Sequence, residues 1–176
     1  MSLSVKQRGV LRGIVLAGGI TVLALGGAIW LSRDWLVPED DVAARLTFAF
    51  QWDMLVIFWL LITIGTLARH RFFTPEDIDG SGLTAGSATA KTHQAVLQNT
   101  LEQVVLAIPI HLSFSLLLPT SSLAAIPIAA ILFSLGRILF WRGYHTGAPG
   151  RALGFALTFY PTVLLFLITA FYLVFG

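Results

Sequence analysis

The chain has 176 residues, 56% of them hydrophobic and only 11% charged, with a formal net charge of +2. A soluble domain carries about 25% charged residues, so this composition excludes an ordinary soluble enzyme and indicates one integral membrane unit. The chain has no cysteine, which excludes disulfides, a thiolate nucleophile and a cysteine-based metal site.

Five hydrophobic segments follow in order: Val10–Leu31, Leu46–Ala68, Gln94–Leu118, Ser122–Trp141 and Ala152–Phe175. Each approaches the ~20 residues that a helix needs to cross about 30 Å of hydrocarbon. None shows two-residue alternation. A spanning backbone must satisfy its own hydrogen bonds, so the sequence predicts helices.

The first segment follows Lys6, Arg8 and Arg12, and Ala24-Leu25-Gly26 resembles a signal-cleavage triplet. Gly13–Leu31 is 19 uncharged residues, longer than a secretory h-region, so a retained anchor is expected. Gly9-x-x-x-Gly13, with Ala17, Gly18, Gly19, Gly26 and Gly27, predicts close helix packing. The second segment carries Asp53. The third carries His111 at matching depth, and a hydrogen-bonded structural pair is expected.

Between them, Arg69–His93 reads as a long loop. Phe72-Phe73-Thr74-Pro75-Glu76-Asp77 is turn-like. Asp79–Ala90 is rich in Gly, Ser, Thr and Ala and reads as mobile. In the third segment, Asn99 and Glu102 lie three apart and share a helical face. Such residues either glue helices together or form a site.

Pro119 and Ser121-Ser122 make a short turn, which predicts antiparallel neighbours on either side. The fourth segment places Arg137, Trp141 and Tyr144 on one stripe. An ionisable group inside a span is costly and needs a partner. Glu102 is the natural counter-ion of Arg137, and a ligand carboxylate is the alternative, since guanidinium suits either. Gly147-Ala148-Pro149-Gly150 is a second turn, after which Arg151 opens the fifth segment. A helix N-terminus adds a positive dipole end there. A membrane-surface anchor is the plain alternative for Arg151. Pro127 and Pro161 are candidate bends. Trp30, Trp35, Trp141 and Tyr172 sit at segment ends, as interfacial aromatics do.

Nine basic residues (Lys6, Arg8, Arg12, Arg69, Arg71, Lys91, Arg137, Arg142 and Arg151) fall on one side, against Arg33 and Arg45 on the other. This predicts a cytoplasmic N-terminus and an outer C-terminus. The one-sided clustering also argues against nucleic acid, despite a sequence pI near 9.4. P-loop, dinucleotide, HExxH and GxSxG motifs are absent. A lone His and Asp are poor evidence for a metal, and no metal site is expected.

These residues, in this order, resemble the MAPEG superfamily, the membrane-associated proteins of eicosanoid and glutathione metabolism. Phe72 with Pro75-Glu76-Asp77 resembles the loop after the family's first core helix. Asn99 and Glu102 match its N-x-x-E. Gly136-Arg137 with Tyr144 match its third core helix. Arg151-Ala152-Leu153 matches the arginine that catalytic members use to activate glutathione's thiol. The resemblance covers about Leu46–Phe175 and implies an all-α, integral membrane four-helix bundle over residues 43–176. Residues 1–42 would add one N-terminal transmembrane helix and an outer loop.

The resemblance further implies a homotrimer, with glutathione as co-substrate bound between subunits near the cytoplasmic face. Gln98, Asn99, Glu102, Arg137 and Tyr144 would bind it. Arg151 and Asp77 would be catalytic; Asp77 matches an aspartate with a catalytic role in a prostaglandin-synthase member. Substrates would be lipophilic molecules or lipids, and the location a bacterial inner membrane. Two departures stand out. Members that bind glutathione well carry basic residues or His before the Asn, where this chain has Ala95, Leu97 and Gln98. The extra N-terminal helix, which makes five spans, together with the Arg142-Gly143-Tyr144 and Gly150-Arg151-Ala152-Leu153-Gly154-Phe155 wording, resembles the mattrin-like branch, which implies the alternative of a non-catalytic protein binding a lipid or a partner protein.

Overall fold

A computed structural model describes residues 3–31 and 36–176. Arg33 and Trp35, read above as outer-side markers, lie outside the described residues. The described residues are helical, without strands. Five helices follow in order: α1 (Val5–Leu31), α2 (Val42–Phe73), α3 (Ala88–Leu117), α4 (Ala125–Gly143) and α5 (Ala148–Phe175). Short 3-10 turns occupy Pro75–Asp77, Thr120–Ser122 and Tyr144–Thr146. All five helices are long and apolar enough to cross a membrane.

All but α4 outrun their hydrophobic segments, and polar residues set the starts of α2 and α3. Asp41 caps α2 by accepting from the N–H groups of Ala43 (2.9 Å) and Ala44 (3.0 Å). Ser87 caps α3 through the N–H of Ala90 (3.1 Å). Such side-chain caps satisfy donors that a helix start leaves free. The expected loop Arg69–His93 therefore shrinks to residues 74–87. That stretch is also tied down by successive turns, among them Asp77 N to Thr74 O (2.9 Å) and Gly80 N to Asp77 O (3.0 Å).

The packing order corrects one expectation. α3 and α4 are joined by a short turn but touch little. Instead α2 packs on α3, α3 on α5, α5 on α4 and α4 on α2. The four helices form a ring in which α3 and α4 are diagonal. The turn closes the diagonal at one end, and a long side chain must bridge it elsewhere. At the same end, Arg45 of α2 donates to the terminal carbonyls of Leu116 and Leu118 on α3. α1 lies outside the ring against α5 and α4.

Small residues set the two closest approaches. Gly9 and Gly13 meet Pro149, Ala152 and Leu153, as the Gly-x-x-x-Gly spacing predicts; Gly19, Gly26 and Gly27 face open space. Between α4 and α5, Gly136 lies against Gly154 and Thr158, and Gly154 against the backbone of Phe140. A Cβ on Gly154 would strike backbone, which cannot rotate aside. Gly154→Val is therefore expected to cost about 3 kcal/mol, the upper end of core overpacking. A melting temperature equal to wild type in the same detergent would contradict this.

Candidate functional site

Arg137 is the side chain that bridges the diagonal. It is 2% exposed and leaves α4 beside Gly136, where α5 comes closest. Its Nη1 donates to Asn99 Oδ1 of α3 at 2.9 Å and lies 3.5 Å from Thr100 Oγ1. Its Nη2 donates to Thr158 Oγ1 of α5. Its guanidinium lies 4.6 Å from the Phe140 ring centre and 5.7 Å from that of Phe133. Cation–π contacts and neutral acceptors therefore carry its charge.

The expected Arg137–Glu102 pair does not form within the chain. Three residues advance a helix by 300°, so Asn99 and Glu102 diverge by about 60°. Asn99 turns inward, while Glu102 is exposed on the outer side of α3 and accepts from Gln98 Nε2 at 3.1 Å. Among the described residues, the Arg–carboxylate pair is Arg45–Asp40, and His70–Asp77 and His111–Asp53 are His–carboxylate hydrogen bonds. Arg137 thus sits buried without a carboxylate, and its Nε has no hydrogen-bond partner.

Tyr144 and Arg151 form a second pair: the Arg151 guanidinium lies 4.6 Å from the Tyr144 ring centre. Tyr144 meets Phe140 edge-on at 5.6 Å. Two arginines thus bracket two edge-on rings in the order Arg137, Phe140, Tyr144, Arg151. The predicted Arg137–Trp141–Tyr144 stripe splits, because α4 ends at Gly143 and Tyr144 begins a 3-10 turn. Trp141 turns instead to His93, 6.4 Å away. Arg151 does not open α5 either. The helix begins at Ala148, and the Arg151 N–H is already bonded to Gly147 O at 3.3 Å. The dipole's free donors lie a turn earlier, and what Arg151 adds is its guanidinium.

Asp77 stands apart from both pairs. It is 1% exposed and accepts from Ser87 N (2.7 Å), Ser87 Oγ (2.6 Å) and His70 Nε2 (2.8 Å). The two Ser87 hydrogen bonds, and then His70, hold its carboxyl below the ordinary value. Within the chain Asp77 is the clamp of the 74–87 segment, and its partners do not include Arg151. A depressed carboxyl stabilises above its unfolded pKa, and that stability is lost as pH falls through the folded one. Acidification below the ordinary carboxyl value of 3.8 should therefore loosen residues 78–87. Asp77→Asn should loosen them at neutral pH. Hydrogen exchange confined to this segment is the readout; equal protection in the variant would rule the clamp out.

Asp53 and His111 meet as expected. Asp53 Oδ1 and His111 Nδ1 are 2.6 Å apart, at 0% and 1% exposure. They tie α2 to α3 within an apolar layer that includes Val56 and Ala107. Among the described residues there is no group of three or more metal-ligand side chains.

Sequence reasoning missed Thr100, Phe140 and Thr158 around Arg137, and His70 and Ser87 around Asp77. Thr158 carried a signal: it lies four residues after Gly154, one turn along the face that meets Gly136. Ser87, immediately before an alanine-rich start, carried another as an N-cap.

Membrane-crossing helices around a buried arginine with no carboxylate define a multi-pass membrane protein with a polar site inside its bundle. The MAPEG family model matches residues 46–171, well over half of the chain. The chain belongs to the MAPEG family. The match begins inside α2, so α1 lies outside it. A search of curated proteins and one of solved structures each gave no match.

Proposed function

We propose that this protein binds reduced glutathione, or a similar anionic thiol, around Asn99, Arg137, Tyr144 and Arg151, and conjugates it to lipophilic electrophiles or uses it to reduce them. The observation that carries this reading is the buried Arg137 without a carboxylate. Removing such a cation from water costs several kcal/mol. A ligand carboxylate reaching it would recover much of that cost, with a fork geometry that guanidinium offers and ammonium does not. Arg151, half-exposed above Tyr144, would favour the thiolate over the thiol. Each unit by which the thiol pKa falls is about 1.4 kcal/mol of differential interaction. The thiolate sulfur then attacks the electrophile, forming the carbon–sulfur bond as the electrophile's leaving group or π-electron pair departs. Placing the site within the membrane lets an apolar substrate arrive laterally.

Glu102 and Gln98 bear on assembly. Both are exposed on α3 in the single chain, and a carboxylate facing lipid is costly. A closed C3 homotrimer would cover them with a neighbouring subunit. The nine-to-two basic asymmetry supports a cytoplasmic N-terminus and an outer C-terminus, and the proposed location is a bacterial inner membrane.

Two observations favour the non-catalytic alternative. Residues 95, 97 and 98 carry no charge, and Asp77 is spent on the loop. A mattrin-like protein that binds a lipid or partner protein is therefore the second reading. Calorimetry of the purified protein with reduced glutathione separates the two. Saturable binding at millimolar ligand is expected, and none would remove the first reading.

A further inference from the structure

α1 lies outside the family match, and its start builds a surface of its own. Gly9 meets Pro149, and Gly13 meets Ala152 and Leu153, so α1 and α5 begin at the same end and run parallel. Ser4 and Gln7 hold the first turn of α1 in a reciprocal cap: the Gln7 N–H donates to Ser4 Oγ (3.2 Å) and the Ser4 N–H to Gln7 Oε1 (2.8 Å). Such a box satisfies two donors that a helix start leaves free. Beside this contact runs a groove of about 350 Å³ between α1 and Ala148, the first residue of α5. Leu3, Val10 and Ile14 give it an apolar wall, and Lys6 and Gln7 are its polar groups. Leu3, Gln7, Val10 and Ile14 recur at intervals of three and four, so one stripe of α1 faces the groove.

Depth and charge together point to the occupant. The uncharged part of α1 begins at Gly13, so the stripe starts at the polar boundary and runs inward. From Lys6 to Ile14 it covers about 12 Å at 1.5 Å per residue, the reach of a headgroup and the upper part of an acyl chain. None of α1, α4 and α5 contains Asp or Glu. Against that stand Lys6, Arg8, Arg12 and Arg142, all exposed at this end and in no ion pair among the described residues. A basic rim over an apolar stripe complements an amphiphile with a negative head. Basic pockets between membrane helices hold anionic headgroups in this way.

We propose that this groove binds one anionic phospholipid of the adjoining leaflet, with its phosphate on Lys6 and Gln7 and an acyl chain along Val10 and Ile14. The Lys6 ammonium supplies charge. Gln7 Oε1 is taken by the cap, which leaves its Nε2 to donate to a phosphate oxygen. The acid-free rim selects a net-negative headgroup over a zwitterionic one, whose ammonium it repels. The site lies on α1, uses none of Asn99, Arg137, Tyr144 and Arg151, and stands whichever of the two readings above holds.

The test is native mass spectrometry of the full chain released from nanodiscs that hold equal phosphatidylglycerol and phosphatidylcholine. Wild type should retain phosphatidylglycerol over phosphatidylcholine. Lys6→Gln should lower that preference about fivefold, the contribution of one basic residue at a membrane surface. Lys6 is exposed, and Arg8 and Arg12 remain to orient the helix, so the variant should fold and insert normally. Val10→Trp, which fills the stripe, should reduce retention of both lipids. Arg142→Gln removes an exposed cation at the same end but outside the groove, and should behave as wild type. The chain has no cysteine, so Val10→Cys reports on a competing occupant: disulfide-linked pairs of chains would give the groove to a second copy. That result would overturn the proposal. So would equal retention of the two lipids by wild type, an unchanged preference in Lys6→Gln, or an equal loss in Arg142→Gln, which would leave only diffuse surface charge. None of these outcomes depends on whether glutathione binds.

Discussion

Arg137→Met is expected to abolish glutathione binding while changing the melting temperature little. In the empty protein, Arg137 gains hydrogen bonds to charged donors, each about 1.5–3 kcal/mol, and two cation–π contacts. Against these stands the several-kcal/mol cost of burying a cation. The terms are comparable, and methionine fills the space with an adaptable apolar chain. Thr158 keeps a partner in the variant, because its hydroxyl also donates to Gly154 O at 2.8 Å. With ligand the balance differs. Truncating one partner of a buried, hydrogen-bonded charge pair costs about 2–5 kcal/mol, or roughly thirtyfold to several thousandfold in affinity. Arg137→Lys should recover charge but not the simultaneous reach to Asn99 and Thr158, so it should restore stability better than affinity. If Arg137→Met unfolds the protein while glutathione never stabilised the wild type, Arg137 is a helix tie and the ligand reading fails.

The fold was legible because lipid leaves few choices. Five apolar runs near 20 residues had to be helices, and small residues at spacing four had to be contacts. Helix ends were less legible, because hydropathy does not mark them, whereas Asp41 and Ser87 set the starts of α2 and α3 by capping. The diagonal placement of α3 and α4 was hidden for a different reason. Turn length fixes where two helices meet at one end, but not which faces pack below it. That packing is decided by Gly136, Gly143 and Gly154 drawing α4 onto α5. The site shows the same division. Asn99, Arg137, Tyr144 and Arg151 were readable as polar residues that apolar helices must accommodate. Their partners were not, because a threonine hydroxyl or a phenylalanine ring leaves no mark on a hydropathy pattern. The 60° between Asn99 and Glu102 was small enough to read as one face, yet large enough to separate an inward amide from an exposed carboxylate.

Arg151→Ala should leave assembly and melting temperature nearly unchanged and remove thiolate formation. The side chain is half-exposed, and its principal contact is the Tyr144 ring, worth about 0.5–1 kcal/mol at exposed sites. The backbone bond from Arg151 N to Gly147 O survives the substitution. The neighbours that hold this turn, Gly150, Ala152 and Leu153, are untouched. Stability should therefore fall by about 1 kcal/mol or less. The chemical effect is far larger if Arg151 favours the thiolate. A cation within 4–6 Å typically shifts an acid by about 1–3 units, so its loss should raise the bound thiol by that amount. The ultraviolet thiolate absorbance of bound glutathione near neutral pH should then vanish, while binding itself, held by Arg137 and Asn99, persists. Arg151→Lys should recover part of the absorbance, because charge is what the thiolate requires. A wild-type protein that binds glutathione but shows no thiolate band, and conjugates no generic electrophile, would reduce Arg151 to a membrane-surface anchor. The chain would then be a family member that binds without turnover, and its partner would be the next thing to capture.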